Sequence, residues 1–368
     1  MPAATMMDLP SGCLKHIHMI HVVCFQPMRK PSLTLTKKAG GHNIYVFGGI
    51  NAVNTRKEFI RSAIGMSAEA VLAGCASSFT VTERFDDALS VFISDLHVGG
   101  ANKSLGYTHA RLGCVVDEIL TMRPLPRRVV CFGDIALSYG LAADYAASKP
   151  ILRRIVDAGI DLHLTLGNHD RRAEFFRAWP EYLACPLVEG RCTRVVDLGG
   201  CDLVILDTLK GADDRAENDM GPVEGTIDAA QLAWFEAFVA AAKRPFFVGS
   251  HQFRDLYIDG EKPISRAAKS AFFAGWIYGH DHSWCPDVSV ASWEENLIAP
   301  TLALPSTGLW GDIGYVLFRT EPDGAVAELR QVDFYFQTPS AYKTRPRYWN
   351  VRVRENQGKA ARFAFEHN

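Results

Sequence analysis

Five short stretches of this 368-residue chain concentrate residue types that bind metal ions: Asp95-Leu96-His97, Gly133-Asp134, Gly167-Asn168-His169-Asp170, Ser250-His251-Gln252 and Gly279-His280-Asp281-His282. Singly, each has a plain reading. A DxH triplet is usually two surface residues, and a Gly-Asp pair usually makes a turn. The longer two are also what a loop rich in turn formers looks like. Their joint occurrence is different, because each follows a short apolar run and none of those runs lacks a polar tip. Imidazole combined with carboxylate suits Fe, Zn or Mn better than Ca.

The elements that must carry these tips alternate between two periods. Ser90–Ile93, Val129–Phe132, Leu162–Leu166, Phe246–Gly249 and Trp276–Tyr278 are short apolar runs of the kind found in buried strands. Between them, His109–Met122 places Leu112, Val115, Val116, Ile119 and Leu120 at helical spacing and stops at Pro124. Leu141–Ala158 reads as a helix kinked or split near Pro150. Arg171–Trp179 reads as a short helix closed by Pro180, and Asp228–Ala242 as a helix with a capping box from Asp228 and Gln231. Hairpins are expected around Gly199-Gly200 and Pro322-Asp323-Gly324. Alternating strands and helices imply a layered α/β fold, whose ligands sit at the carboxyl ends of the strands.

The ordered series DxH, GD, GNHD, H, GHxH resembles the calcineurin-like metallophosphoesterase superfamily over residues 91–283, with a terminal hairpin matching its sheet extension to about residue 335. The spacing is most similar to the branch of bacterial cyclic-nucleotide phosphodiesterases and glycerophosphodiesterases. The resemblance implies a four-layer α/β/β/α sandwich with mixed central sheets. It implies two divalent or mixed-valence ions (Fe, Mn or Zn), one held by Asp95, His97, Asp134 and His282, the other by Asp134, Asn168, His251 and His280. Two ions about 3.5–4 Å apart repel, so a shared carboxylate should lie between them, here Asp134. The family role of His169 is proton donation to the leaving alkoxide or stabilisation of charge. Asp170 is expected to orient His169 or to cap the helix that follows. The implied activity is hydrolysis of a phosphoric ester, a diester in preference, by a metal-activated hydroxide. A monoesterase on the same site and a non-catalytic metal-binding scaffold are the alternatives. One departure stands out: many members have His-His-Pro or His-x-Pro at the fourth block, where this chain has His251-Gln252-Phe253.

Composition narrows the partners. With 39 basic and 41 acidic residues the formal charge is -2, which gives no basic domain for nucleic acid and no polybasic membrane patch. The sequence contains no run of 18 or more apolar residues, so multiple membrane spans are excluded. The nine cysteines form no CxxC pair, which argues against a zinc ribbon. Cys185 and Cys192 pair if the protein is exported, and otherwise read as small buried hydrophobes. A small-molecule phosphate ester is the expected substrate. Gly99–Tyr107, Thr208–Glu224 and Trp284–Asn296 are the candidate cleft walls, with Trp284 and Trp293 read as packing.

Residues 1–88 are expected to be a leader, 89–335 the catalytic domain and 336–368 a loosely attached polar tail. Within the leader, Thr55–Cys75 has the three-part layout of an export signal, with a basic pair, an apolar segment and a small-residue junction. Leu72-Ala73-Gly74-Cys75 resembles a bacterial lipobox, with Cys75 as the lipidated residue. Glu69 and the distance from the amino terminus speak for a surface helix instead, so periplasmic or membrane-anchored and cytoplasmic locations both stay open.

Overall fold

The structure, a computed structural model, describes residues 35–39, 42–46, 84–100, 106–184, 186–211, 216–258, 262–292, 297–309, 311–331 and 358–365. The chain divides into two compact units, Met1–Val81 and Thr82–Asn368. In the first, strands β1 (Leu35–Ala39) and β2 (His42–Val46) pair as an antiparallel hairpin, in a stretch for which the sequence predicts no element. The export segment and Cys75 lie outside the described residues.

The second unit is built on two six-stranded mixed sheets. One has the order β14-β13-β12-β3-β4-β5, with β3 (Phe85–Ile93), β4 (Leu125–Cys131) and β5 (Asp161–Leu164) parallel. Strands β12 (Gly314–Glu321) and β13 (Gly324–Gln331) form the expected terminal hairpin and join this sheet antiparallel to β3. The other sheet has the order β10-β11-β9-β8-β7-β6. Its members are β6 (Arg194–Asp197), β7 (Asp202–Ile205), β8 (Phe246–Ser250), β9 (Phe273–Tyr278), β10 (Cys285–Ser292) and β11 (Leu297–Ala303).

Period-two alternation in the strands creates the layers. Val91, Ile93, Val129 and Cys131 pack outward beneath helices α1 (Gly106–Thr121), α2 (Ala142–Asp157) and α3 (Arg172–Ala178). Their neighbours Phe92, Val130 and Phe132 point the other way, into a core shared with Leu203, Ile205, Phe247 and Ile277 of the second sheet. On the far face, Val204, Phe246 and Val248 meet Phe235 of α4 (Ala229–Ala241) and Ile264 of α5 (Ile264–Ala267). The result is helices, sheet, sheet, helices.

Two elements differ from expectation. The segment Trp284–Asn296 is largely strand β10, paired to β11, rather than a cleft-wall loop; Trp284 packs against the inter-sheet core, and Trp293 lies outside the described residues. Helix α2 contains Pro150 as expected and is not split there. The last part of the polar tail is not loose: β14 (Ala360–Ala364) pairs with β13 from Gly324↔Ala364 to Glu328↔Ala360. The burial of Phe363 and Phe365 in the inter-sheet core fastens it. The first sheet also begins at Phe85, ahead of residue 89.

Candidate metal centre

Asp95 follows β3, Asp134 follows β4, Asn168 follows β5, His251 follows β8 and His280 follows β9. The two sheets therefore contribute their strand ends to one place. Asp95, His97, Asp134, Asn168 and His251 are buried, which is costly for charged and polar groups without partners. The partners are each other. His282 Nε2 lies 3.1 Å from Asp95 Oδ1 and 3.2 Å from His97 Nε2. His97 Nε2 is 3.6 Å from Asp134 Oδ2, and His251 Nε2 is 3.2 Å from that same oxygen. Asn168 Oδ1 is 3.1 Å from His251 Nε2.

Two ligand clusters result, Asp95–His97–His282 and Asp134–His251–His280, each with its donor atoms within 4.8 Å of one another. A third, His97–Asp134–His169, overlaps both and puts Asp134 between them. All seven residues expected to bind metal come together, and His169 lies at their edge.

Backbone carbonyls fix the ring tautomers. His97 Nδ1 is 2.9 Å from Leu137 O, and His251 Nδ1 is 2.7 Å from Phe132 O. A carbonyl only accepts, so each Nδ1 carries a proton and each Nε2 is the ring nitrogen that faces the cage. This is the outer hydrogen bonding typical of metal-bound histidine.

The backbone is set at the same cost. Among the described residues, the non-glycine residues with positive φ are Asp95 (53°), His97 (46°), Asp134 (50°), His280 (68°) and His282 (50°). Every one is an expected ligand. Left-handed backbone away from glycine costs on the order of 1–3 kcal/mol and persists where surrounding structure enforces it. The enforcing bonds include Asp95 N to Gly133 O at 3.1 Å, His97 N to Asp134 O at 2.9 Å and Asp312 N to His282 O at 2.8 Å.

Close backbone approach completes the cage. Gly133 sits at φ 94°, and a Cβ on Gly167 would fall 2.2 Å from Asp134 Oδ1 and 2.7 Å from His251 Nε2.

The electrostatics are those of a site awaiting positive charge. Burial opposes ionisation of Asp95, but His282 holds its carboxyl down to about 2. Burial likewise opposes ionisation of Asp134, yet His251 and His169 keep it well below the usual carboxylate range. Burial disfavours charge on His251, but Asp134 lifts it to about 9, whereas burial takes His97 down to about 4. The two carboxylates thus favour protons on His251 and His282, and metal binding would displace those protons. The donor set fits divalent ions: two carboxylates, four imidazoles and one amide leave two divalent cations with a net charge near +2, a surplus that attracts a phosphate ester.

Asp170 behaves differently from either expectation. Its buried carboxylate accepts from Ile135 N (3.2 Å), Ala136 N (3.0 Å), Gly167 N (2.9 Å) and Tyr145 Oη (2.9 Å). It thus ties the Asp134 loop to the Asn168 loop. The His169 ring is instead held by Ser138 O, 3.0 Å from Nδ1, and the residue before α3 is Arg171. Burial, then Asp134, raises the Asp170 carboxyl to about 6, against the pull of its backbone donors. Asp281 turns away from the cage to Arg254, with Nε 2.6 Å from its Oδ2.

Sequence reasoning missed the loop behind Asp95 and His282. Ser306 Oγ donates to Asp95 O at 3.0 Å, and Gly308 N donates to the same carbonyl at 2.9 Å. Nothing in Pro305-Ser306-Thr307-Gly308 distinguishes it from an ordinary turn. Cys192 is a buried free thiol, and Cys185, its expected partner on export, lies outside the described residues. No helix among the described residues is long and apolar enough to cross a membrane.

Comparison with solved structures identifies the architecture. A dimetal phosphatase from Danio rerio superposes with a TM-score of 0.51 at 14% identity, over 66% of this chain and 96% of that one. A predicted phosphoesterase from Streptococcus pneumoniae (TM-score 0.33, 11% identity, 75% and 97% covered) and a zinc complex of Vps29 from Entamoeba histolytica (0.34, 12%, 76% and 99%) also match, at similarities too low to argue from. No protein-family model and no curated protein matches the sequence. The chain has a calcineurin-like metallophosphoesterase fold.

Proposed function

We propose that this protein is a metal-dependent phosphoesterase that hydrolyses a phosphoric ester, a diester in preference to a monoester. The observation that carries the reading is Asp134, whose carboxylate is shared between two donor clusters in the arrangement a dinuclear hydrolase needs. The motif spacing supports the diester preference.

Asp95, His97, Asp134 and His282 would hold one ion, and Asp134, Asn168, His251 and His280 the other. When bound, two such cations draw charge from the phosphoryl oxygens and make water a better nucleophile near neutral pH.

The chain's own groups do the rest. His169 Nδ1 is bonded to Ser138 O, so its Nε2 is the atom that can give a proton to the departing ester oxygen. That Nε2 lies 3.8 Å from Asp134 Oδ2, and the side chain is 21% exposed, open to an incoming ester. The amide of His169 donates to Asp134 Oδ1 at 2.8 Å, which joins the proton donor to the central carboxylate.

Turnover by the full chain loaded with Mn, Zn or Fe, measured across cyclic nucleotides, glycerophosphodiesters and monoesters, tests this. Two bound ions with no turnover of any ester would make the protein a metal-binding scaffold. Export through Thr55–Cys75, with lipid on Cys75, is one of two proposed locations beside the cytoplasm; peptides from residues 1–50 in the native protein would count against it.

A further inference from the structure

We infer that the segment Ala216–Gly225 is a fixed wall of the substrate cleft, whose exposed Met220 and Val223 receive the apolar or aromatic organic group of the ester. This rests on the phosphoesterase reading and adds what the site selects.

The chain that leads to this segment leaves the carboxyl end of β7 at Ile205, next to the end of β8 that carries His251. Residues immediately after the cage ligands hold it. Arg172 grips its root, with Nε 3.0 Å from Asp207 Oδ2 and Nη2 2.8 Å from Asp207 Oδ1. Arg171, two residues beyond His169, donates from Nη2 to Ala216 O at 2.5 Å. Gln252, next to His251, closes the other end: its Oε1 accepts from Thr208 Oγ1 at 2.5 Å and its Nε2 donates to Val223 O at 3.3 Å. Gly225 N donates to Asp255 O at 3.2 Å, and a Cβ on Gly225 would fall 2.9 Å from Gln252 Cβ.

The segment is therefore tied both to the loop bearing His169 and to the loop bearing His251, the two loops that flank the proposed reaction centre. Gln252 is fully buried, and its amide bonds Thr208 and Val223. It occupies the position where the family pattern has His or another residue before proline. Met220 and Val223 are 45% and 49% exposed, although apolar. Carried on a segment bonded through Val223 O to the loop of His251, they offer apolar contact to the organic part of the ester. Gln252 and Arg171 are positioning residues, and Met220 and Val223 set specificity.

Non-hydrolysable phosphonates separate binding from turnover. On the Mn-loaded full chain, calorimetry should show 1-naphthylphosphonate binding about 10-fold or more tighter than methylphosphonate, the scale of one apolar contact in a specificity pocket. The double variant Met220→Ser, Val223→Ser should lose that preference while keeping its affinity for methylphosphonate. Gln252→Leu should lessen the preference with metal stoichiometry unchanged. Equal affinities in the wild type, a preference undiminished in the double variant, or no binding of either phosphonate overturns the assignment. Selective binding without turnover of any ester leaves the wall standing and overturns the hydrolase reading.

Discussion

Asp134 Oδ2 stands 3.2 Å from His251 Nε2, and the other face of that imidazole is fixed 2.7 Å from Phe132 O. Phe132 lies just beyond β4 of the first sheet and His251 just beyond β8 of the second, so one ring links both sheets to the central carboxylate. Asp134 meets both donor clusters, and its loss should not be confined to one of them. Asp134→Ala is expected to abolish binding of both ions and to lower activity on the order of 10³-fold or more, the scale of losing a preorganised charge-stabilising group. Elemental analysis beside kinetics checks this, and a fully active variant with two ions would remove Asp134 from the centre.

His169 is at the edge of the cage, so its substitution should divide binding from chemistry. His169→Ala is expected to keep the metal content of the wild type and to lose about 10²–10⁴-fold in kcat, the usual contribution of a positioned proton donor. An equal loss of metal would make it a ligand instead.

Asp170 pins two ligand loops together, and its removal leaves three backbone N–H groups and Tyr145 Oη without that acceptor. Each buried orphan costs about 1–3 kcal/mol. Asp170→Ala should lower the urea midpoint substantially in the metal-free protein. Tyr145→Phe should cost about 1–3 kcal/mol, because Tyr145 Oη also accepts from Arg171 N at 3.0 Å and that N–H would lose its partner. If the midpoint of Asp170→Ala matches the wild type, Asp170 is no pin.

Gly167 tests the close approach directly. In Gly167→Ala the new methyl meets Asp134 Oδ1 and His251 Nε2. Metal affinity is expected to fall at least tenfold, because the methyl displaces two ligands. Unchanged affinity would show that the cage relaxes freely around it.

His163 lies on β5 opposite Val130. Burial, helped by Arg194 and Arg128, takes its imidazole from 6.5 down to about 4. Between those values the unfolded chain holds more protons than the folded one, so His163 erodes stability as pH falls through that window. His163→Gln should therefore lose less stability than the wild type between pH 7 and pH 5 in urea titrations. Parallel losses in the two proteins would contradict the assignment.

The ligands were legible because metal binding restricts residue type and a layered α/β fold restricts place: Asp95, Asp134, Asn168, His251 and His280 each follow a short apolar run that is a strand. Helix α1 could be read from Leu112, Val115, Val116 and Ile119, all of which are buried. Strand β14 could not, since Ala360–Ala364 has weak strand character and is defined by its pairing to β13, far back in the chain. Asp170 resisted reading for another reason. A carboxylate after Asn-His can cap a helix, orient the histidine or accept from neighbouring loops, and only the arrival of Ile135, Ala136 and Gly167 decides among them. The hold of Arg171 on Ala216 is equally tertiary.

The left-handed backbone at Asp95, His97, Asp134, His280 and His282 also limits how this centre can change over generations. Branched and bulky side chains are unwelcome there whatever their chemistry, while asparagine and glycine are tolerated. Substitutions that keep the shape of these loops are therefore drawn from a short set: asparagine, aspartate, histidine and glycine.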